Sequence, residues 1–163
     1  MRFYAGIGSR KTPPDVRLSM TEIARALYTN GDWLRTGGAS GADAAFLAGT
    51  KLAQVFLPWE GFNGIKYGCA FKSPWAEEVA KHFHPNWSAL SPGGRKLMTR
   101  NTCQVLGRHA EDVNSSFVVC WTPDGQASGG TGQAIRIAEA FEIEVFNLHK
   151  QGTFQEVIRL ANR

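Results

Sequence analysis

Short apolar runs alternate with helix-period segments along this chain, and three of the junctions between them are crowded with glycine. The runs are Arg2-Phe3-Tyr4-Ala5-Gly6, Trp33-Leu34-Arg35-Thr36, Gln54-Val55-Phe56-Leu57-Pro58, Ser116-Phe117-Val118-Val119-Cys120-Trp121 and Val145-Phe146-Asn147-Leu148. Between them apolar residues recur at helical spacing, as in Val16, Met20, Ile23, Ala24 and Leu27, in Ala44, Ala45, Leu47, Ala48 and Leu52, and in Ala134, Ile135, Ile137, Ala138 and Phe141. Strands and helices in strict alternation predict an α/β chain. The expected architecture is a Rossmann-like open, mainly parallel sheet with helices on both faces, one domain spanning 1–163. The Ser116–Trp121 run is the most apolar and is expected at the centre of the sheet.

Local signals set the helix ends. Thr12-Pro13-Pro14-Asp15 starts one helix, Asn30-Gly31 closes it, and Ser91-Pro92 starts another that runs to about Leu106. Thr153 is the expected cap of a short terminal helix. From about 59 to 90 the rhythm breaks in an aromatic-rich insertion that holds Gly61, Gly64, Gly68, Pro74 and Pro85, with a single helix candidate over Pro74–Lys81.

Composition removes several classes of function. Apolar residues are 43% of the 163, enough for a core, and 18 Lys+Arg against 14 Asp+Glu leave a net charge of +4. That excess permits phosphate binding but is far from a histone-like polycation. No apolar run approaches the roughly 18–20 residues of a membrane span, and Met1–Gly6 is no secretory signal, so a soluble, cytoplasmic protein is expected. Cys69, Cys103 and Cys120 show no CxxC spacing, which argues against a disulfide framework and a zinc knuckle. His82 and His84 flank Phe83 with no third ligand at a recognisable spacing, so neither a metal nor a cofactor is expected.

The glycine clusters carry the chemistry. Gly6-Ile7-Gly8-Ser9-Arg10, Gly37-Gly38-Ala39-Ser40-Gly41 and Ser128-Gly129-Gly130-Thr131-Gly132 each stand after a strand and before a helix. In an open parallel sheet these positions share the carboxyl edge, where ligands bind. Glycine admits close approach of backbone N–H groups to a phosphate, and the helix N-termini add partial positive charge. Arg10 adds a cation able to grip phosphate bidentately. The pattern is neither the dinucleotide fingerprint, since Lys11 stands where its third glycine belongs, nor a G-x-x-x-x-G-K-[ST] phosphate loop.

With those clusters in place the chain resembles the SMF/DprA-LOG (SLOG) superfamily, most closely its small stand-alone DprA-like members of the kind found in bacteriophages. Gly6-Ile7-Gly8-Ser9-Arg10 looks like the G-x-G-x-R element, and Thr36-Gly37-Gly38-Ala39-Ser40-Gly41-Ala42-Asp43 is similar to S-G-G-A-x-G-I-D. Arg100-Asn101 with Gly107 resembles the R-N-x-x-x-x-G element that opens a later helix, and Ser128–Gly132 resembles the glycine turn after the fourth strand. The resemblance implies nucleotide binding at the glycine edge and three kinds of activity: single-stranded DNA binding with recombinase loading, hydrolysis of the N-glycosidic bond of nucleoside monophosphates, or sensing of nucleotide messengers. The hydrolases carry P-G-G-x-G-T-x-x-E, whereas here Ser128, Gln133 and Arg136 occupy the Pro, Thr and Glu positions. An arginine cannot serve as that carboxylate. Asp43 and Asp124, both near strand ends, are the substitute candidates, with a helix-start residue and a Pro-Asp-Gly turn residue as their structural alternatives.

The expected ligand set therefore comprises Gly6, Gly8, Ser9, Arg10, Gly37, Gly38, Ala39, Ser40, Gly41, Asp43, Arg100, Asn101, Gly129, Gly130, Thr131 and Gly132, with Trp59 and Asn63 as candidates to stack on and read a base. Arg95 and Lys96 are expected on a solvated helix face, and Trp75, Phe83 and Trp87 in a lid or dimer contact. The primary expectation is a nucleotide or nucleotide-derived ligand that is sensed, sequestered or hydrolysed. The alternative is single-stranded DNA binding of the DprA kind. A homodimer and no membrane partner complete the expectations.

Overall fold

The computed structural model describes residues 1–67, 69–70 and 72–163, the last two of the insertion's strand residues by backbone alone. Gly68, counted above among the insertion's glycines, lies outside the described residues. Among the described residues six strands form one sheet: β1 (Phe3–Gly6), β2 (Trp33–Thr36), β3 (Ala53–Leu57), β4 (Cys69–Ala70), β5 (Phe117–Cys120) and β6 (Glu144–Asn147). Their order is β4-β3-β2-β1-β5-β6, and every pairing is parallel. The chain builds outward from β1 to β4 and then returns to lay β5 against the other side of β1. The strand order thus reverses between β1 and β5.

Among the described residues six α-helices pack on the sheet, the first five in the crossovers and the last after β6: α1 (Pro14–Thr29), α2 (Ala42–Leu47), α3 (Pro74–Phe83), α4 (Pro92–Leu106), α5 (Gly129–Ala140) and α6 (Thr153–Ala161). The two-residue period of a strand divides the core. Tyr4, Phe117 and Val119 join one cluster with Met20, Ile23 and Leu27 of α1, Phe46 of α2 and Val157 of α6. Ala5, Val118 and Cys120 point the other way, onto Val105 and Leu106 of α4 and Ile135 and Ile137 of α5. Helices therefore cover both faces, and β5 lies between β1 and β6 as its apolarity implies. None of the described helices is long and apolar enough to cross a membrane.

Tertiary contacts change several sequence expectations. α2 stops at Leu47 and does not continue through Leu52, because Thr21 Oγ1 of α1 donates to the Ala45 carbonyl at 2.8 Å and Gly49 packs its backbone on α1. The insertion contributes β4, an edge strand two residues long that carries no sequence signal of its own. Gly129, Gly130 and Gly132 do not form a loop before a helix but are the first turn of α5. Arg100 and Asn101 lie mid-helix in α4 and do not open it, and Thr102–Leu106 separate Asn101 from Gly107, one residue more than the R-N-x-x-x-x-G spacing. Thr153 is the first residue of α6; Gly152 is the cap, and no side chain caps the helix. Trp75 and Phe83 pack onto the core beneath α4 and α5, so α3 is anchored within this chain.

Candidate functional site

The reversal of strand order leaves a crevice at the carboxyl ends of β1 and β5, where ligands bind in folds of this kind. A cavity of about 550 Å³ occupies it. Its walls are the β1–α1 turn with Gly8, Ser9, Arg10 and Lys11; Ala39 and Asp43 from the β2–α2 junction; Leu97, Met98, Arg100, Asn101 and Gln104 from α4; and Thr122, Pro123 and Ser128–Thr131 from the β5–α5 junction.

Of the expected ligand set, Gly8, Ser9, Arg10, Ala39, Asp43, Arg100, Asn101, Gly129, Gly130 and Thr131 line this cavity. The other glycines stand away from it, each for a packing reason. A Cβ on Gly6 would fall 2.7 Å from both Leu34 and Phe46, and one on Gly38 2.7 Å from Ile65. On Gly132 it would meet the Ala127 carbonyl at 2.5 Å. Gly41, at φ +81°, backs onto the Ser9 and Arg10 main chain and so holds the first two glycine turns together. The Ser9 carbonyl completes that junction by accepting from Thr12 N–H, Thr12 Oγ1 and Ala42 N–H. Ser40 is exposed and off the cavity.

A chain of hydrogen bonds crosses the site. Arg100 Nη1 donates to the Gly37 carbonyl at 2.8 Å, Arg100 Nε to Asn101 Oδ1 at 3.1 Å, and Asn101 Nδ2 to the Gly130 carbonyl at 3.0 Å. One face of α4 therefore ties the β2 turn to the start of α5. Asp43 is buried; its Oδ2 accepts from Ala39 N–H at 3.1 Å and lies 4.0 Å from Arg100 Nη1. Burial pushes the Asp43 carboxyl up, against the pull of Arg100 and the Ala39 amide. Burial lowers Arg100 in turn, opposed by Asp43 and reinforced by Arg10. Asp43 and Arg100 thus face each other inside the wall of the site, while Arg10 and Lys11 are exposed at the mouth. The first amides of α5 have no side-chain cap, because Ser128 Oγ donates to Asp124 Oδ1 at 2.9 Å.

Asp124 itself is exposed and off the cavity, held by Gln126 N–H and Ser128, which depress its carboxyl. Arg136 is likewise away from the cavity: Nη2 donates to Gln133 Oε1 at 2.9 Å, with longer bonds to the Phe83 and Ala127 carbonyls. Asn63 does not face the first cavity either. Its backbone adopts φ 53° and its Nδ2 donates to the Gly38 carbonyl at 3.2 Å.

A second cavity, about 640 Å³, opens beside the first between the end of β3 and the helices α3 and α4. Trp59, 40% exposed and edge-on to Phe62, lies on it together with Lys72, Arg95 and Lys96. Arg100 lines both cavities. Arg95 differs from the expected solvated residue: it is half-buried, sits 5.8 Å over the Trp87 ring, and its Nε has no hydrogen-bond partner among the described residues. Arg108 follows the α4 C-cap at the other end of the helix, about 20 Å from Arg95 at 1.5 Å per residue.

Sequence reasoning missed Lys11, Gln104, Thr122 and the second cavity's Lys72. Gln104 had one usable signal, its i+4 spacing from Arg100 on the same helix face. No family model matches the chain, and the comparison with curated proteins gives no match. Among solved structures the chain is similar to DNA processing protein A from Helicobacter pylori, a protein studied for its single-stranded DNA binding mode. The TM-score is 0.54 at 15% identity, over 98% of this chain and 72% of that one. At that identity the likeness is one of architecture: the chain has a DprA-like, Rossmann-type α/β fold.

Proposed function

We propose that this chain binds single-stranded nucleic acid along the carboxyl edge of its sheet. The observation that carries the reading is the contiguity of the two cavities at Arg100, which sets the cations Arg10, Lys11, Arg95, Lys96 and Lys72 and the exposed Trp59 along one edge, where they outnumber the second cavity's carboxylates, Glu60 and Glu77. A basic track with an aromatic platform is how proteins hold a single strand: phosphates follow the cations and bases stack on the ring. The DprA-like architecture and the DNA binding of its structural neighbour support the same reading. In this arrangement the α5 N-terminus and the β1–α1 turn take phosphate at the first cavity, and Trp59 stacks a base at the second.

No catalytic step is part of the proposal. Asp43 is the sole carboxylate on the first cavity among the described residues, and it is already bound to Ala39 N–H and faces Arg100. A second reading, a free nucleotide or nucleotide derivative in the first cavity alone, is favoured by that cavity's size and its buried polar wall.

Fluorescence anisotropy with labelled oligo-dT of about 20 nucleotides separates them. The first reading expects micromolar or tighter affinity that weakens steeply with salt and is lost when Arg10 and Arg95 are both replaced by Ala. Mononucleotide binding that survives high salt, with no oligonucleotide binding, would overturn it in favour of the second.

A further inference from the structure

Along α4, Leu97, Asn101 and Gln104 follow at i, i+4 and i+7 and turn one stripe toward the first cavity. Gln104 is 1% exposed, yet its Nε2 has no hydrogen-bond partner among the described residues. Gln133 on α5 supplies the contrast. It is equally buried, but its Nε2 donates to the Ala80 carbonyl at 2.9 Å and its Oε1 accepts from Arg136 at 2.9 Å. Buried amides are normally paired in this way, because an unmet donor forfeits its hydration without return.

The neighbouring polar groups on that wall are engaged. Asn101 Nδ2 donates to Gly130, Arg100 to Gly37 and Asn101, and the Asp43 carboxylate accepts from Ala39. Gln104 is left with a neutral N–H donor in a wall that also carries the apolar side chains of Ile7, Leu97 and Met98. A phosphate is better met at the mouth, where Arg10, Lys11 and the uncapped start of α5 lie. An uncharged donor against an apolar wall fits instead the edge of a planar, neutral ring that carries a carbonyl oxygen.

We propose that Gln104 reads a nucleobase inserted into the first cavity, donating from Nε2 to the exocyclic oxygen at position 4 of a pyrimidine or position 6 of a purine. Thymine, uracil and guanine offer that oxygen where adenine and cytosine carry an amino group, so Gln104 is a specificity-determining residue for oxo bases. This rests on the nucleic-acid reading of the same cavity.

The test compares oligo-dT, oligo-dA and oligo-dC of about 20 nucleotides on the wild-type chain and on Gln104→Leu, Gln104→Glu and Arg10→Ala. Wild type is expected to favour oligo-dT by roughly tenfold, the discrimination of one good base contact. Gln104→Leu should bind the three strands alike and melt at a higher temperature, since it keeps the volume and removes the unmet donor. Gln104→Glu, an acceptor only, should turn the preference toward the amino bases. A Gln104→Leu protein that folds and keeps the wild-type order of affinities overturns the proposal, as does a wild type without preference. Arg10→Ala separates the two levels. If it weakens all three strands equally while Gln104→Leu changes nothing, nucleic-acid binding stands and the Gln104 assignment falls. If wild type binds no strand, both fall.

Discussion

Arg100 lies directly against Gly37: its Nη1 donates to the Gly37 carbonyl at 2.8 Å, and a Cβ on Gly37 would fall 2.5 Å from that same nitrogen. The glycine is there to admit a guanidinium that lines both cavities. Gly37→Ala should therefore push the flexible head of Arg100 aside and leave the backbone intact. The expected cost is about 1.5–3 kcal/mol, a charge-assisted hydrogen bond, with oligonucleotide affinity falling alongside. Urea denaturation and anisotropy on the same variant check both; unchanged affinity would show that Arg100 does not contact the strand.

Gly41 answers to a different constraint. At φ +81° its absent Cβ faces the Arg10 and Ser9 carbonyls at 2.7 and 2.8 Å, and main chain cannot move aside as an arginine head can. Gly41→Ala should cost more than the roughly 1–2 kcal/mol of a left-handed alanine alone. Gly129→Ala, at φ +61° with nothing within 4 Å, should cost only that strain. Thermal melts of the pair measure the difference, and equal losses would rule out the backbone clash.

Trp59 and the cations of the second cavity should separate by salt dependence. Trp59→Ala is expected to weaken oligo-dT binding by about 1–3 kcal/mol, one stacked base, without changing the slope of log K against log salt. Arg95→Ala and Lys96→Ala should each flatten that slope by about 0.7, one phosphate contact on a single strand. A Trp59 variant with altered slope, or cation variants without one, contradicts the assignment of stacking to the ring and phosphate to the side chains.

Asp43 predicts a pH signature. Burial raises its carboxyl above the ordinary 3.8, so just above that pH the native state holds a proton the unfolded chain has released. Stability then falls as pH rises from about 4 through the raised value, and it is greatest below. Asp43→Asn should lack that decline. It should also remove the weakening of oligonucleotide binding that ionisation of Asp43 brings as pH rises through that value, because the ionised carboxylate puts a negative charge on the cavity wall. Denaturation and anisotropy, each followed across pH, test the two halves separately.

Much of the fold is local and therefore legible. Tyr4, Ala5, Phe117, Val118, Val119 and Cys120 are apolar at consecutive positions because both faces of their strands are covered by helices. Pro13 and Pro14 mark the start of α1, and Ser91 caps α4 by accepting from Gly94 N–H at 3.1 Å. The short edge strand β4 and the early end of α2 were not legible, since one depends on pairing with β3 and the other on Thr21 from α1.

Within the site, the sequence by itself determined that glycines and small polar residues gather at the carboxyl edge, because the alternation of strand and helix leaves them nowhere else. It could not assign the glycines individually. Gly37, Gly41 and Gly130 look alike in sequence, yet one makes room for Arg100, one for the Ser9–Arg10 main chain, and one lines the cavity. Only the tertiary structure decided this, because what a missing Cβ makes room for is set by whichever group packs opposite, here an arginine 63 residues away. The same holds for Gln104 and Gln133, two buried glutamines on helices, of which packing provided a partner for one and left the other facing the cavity.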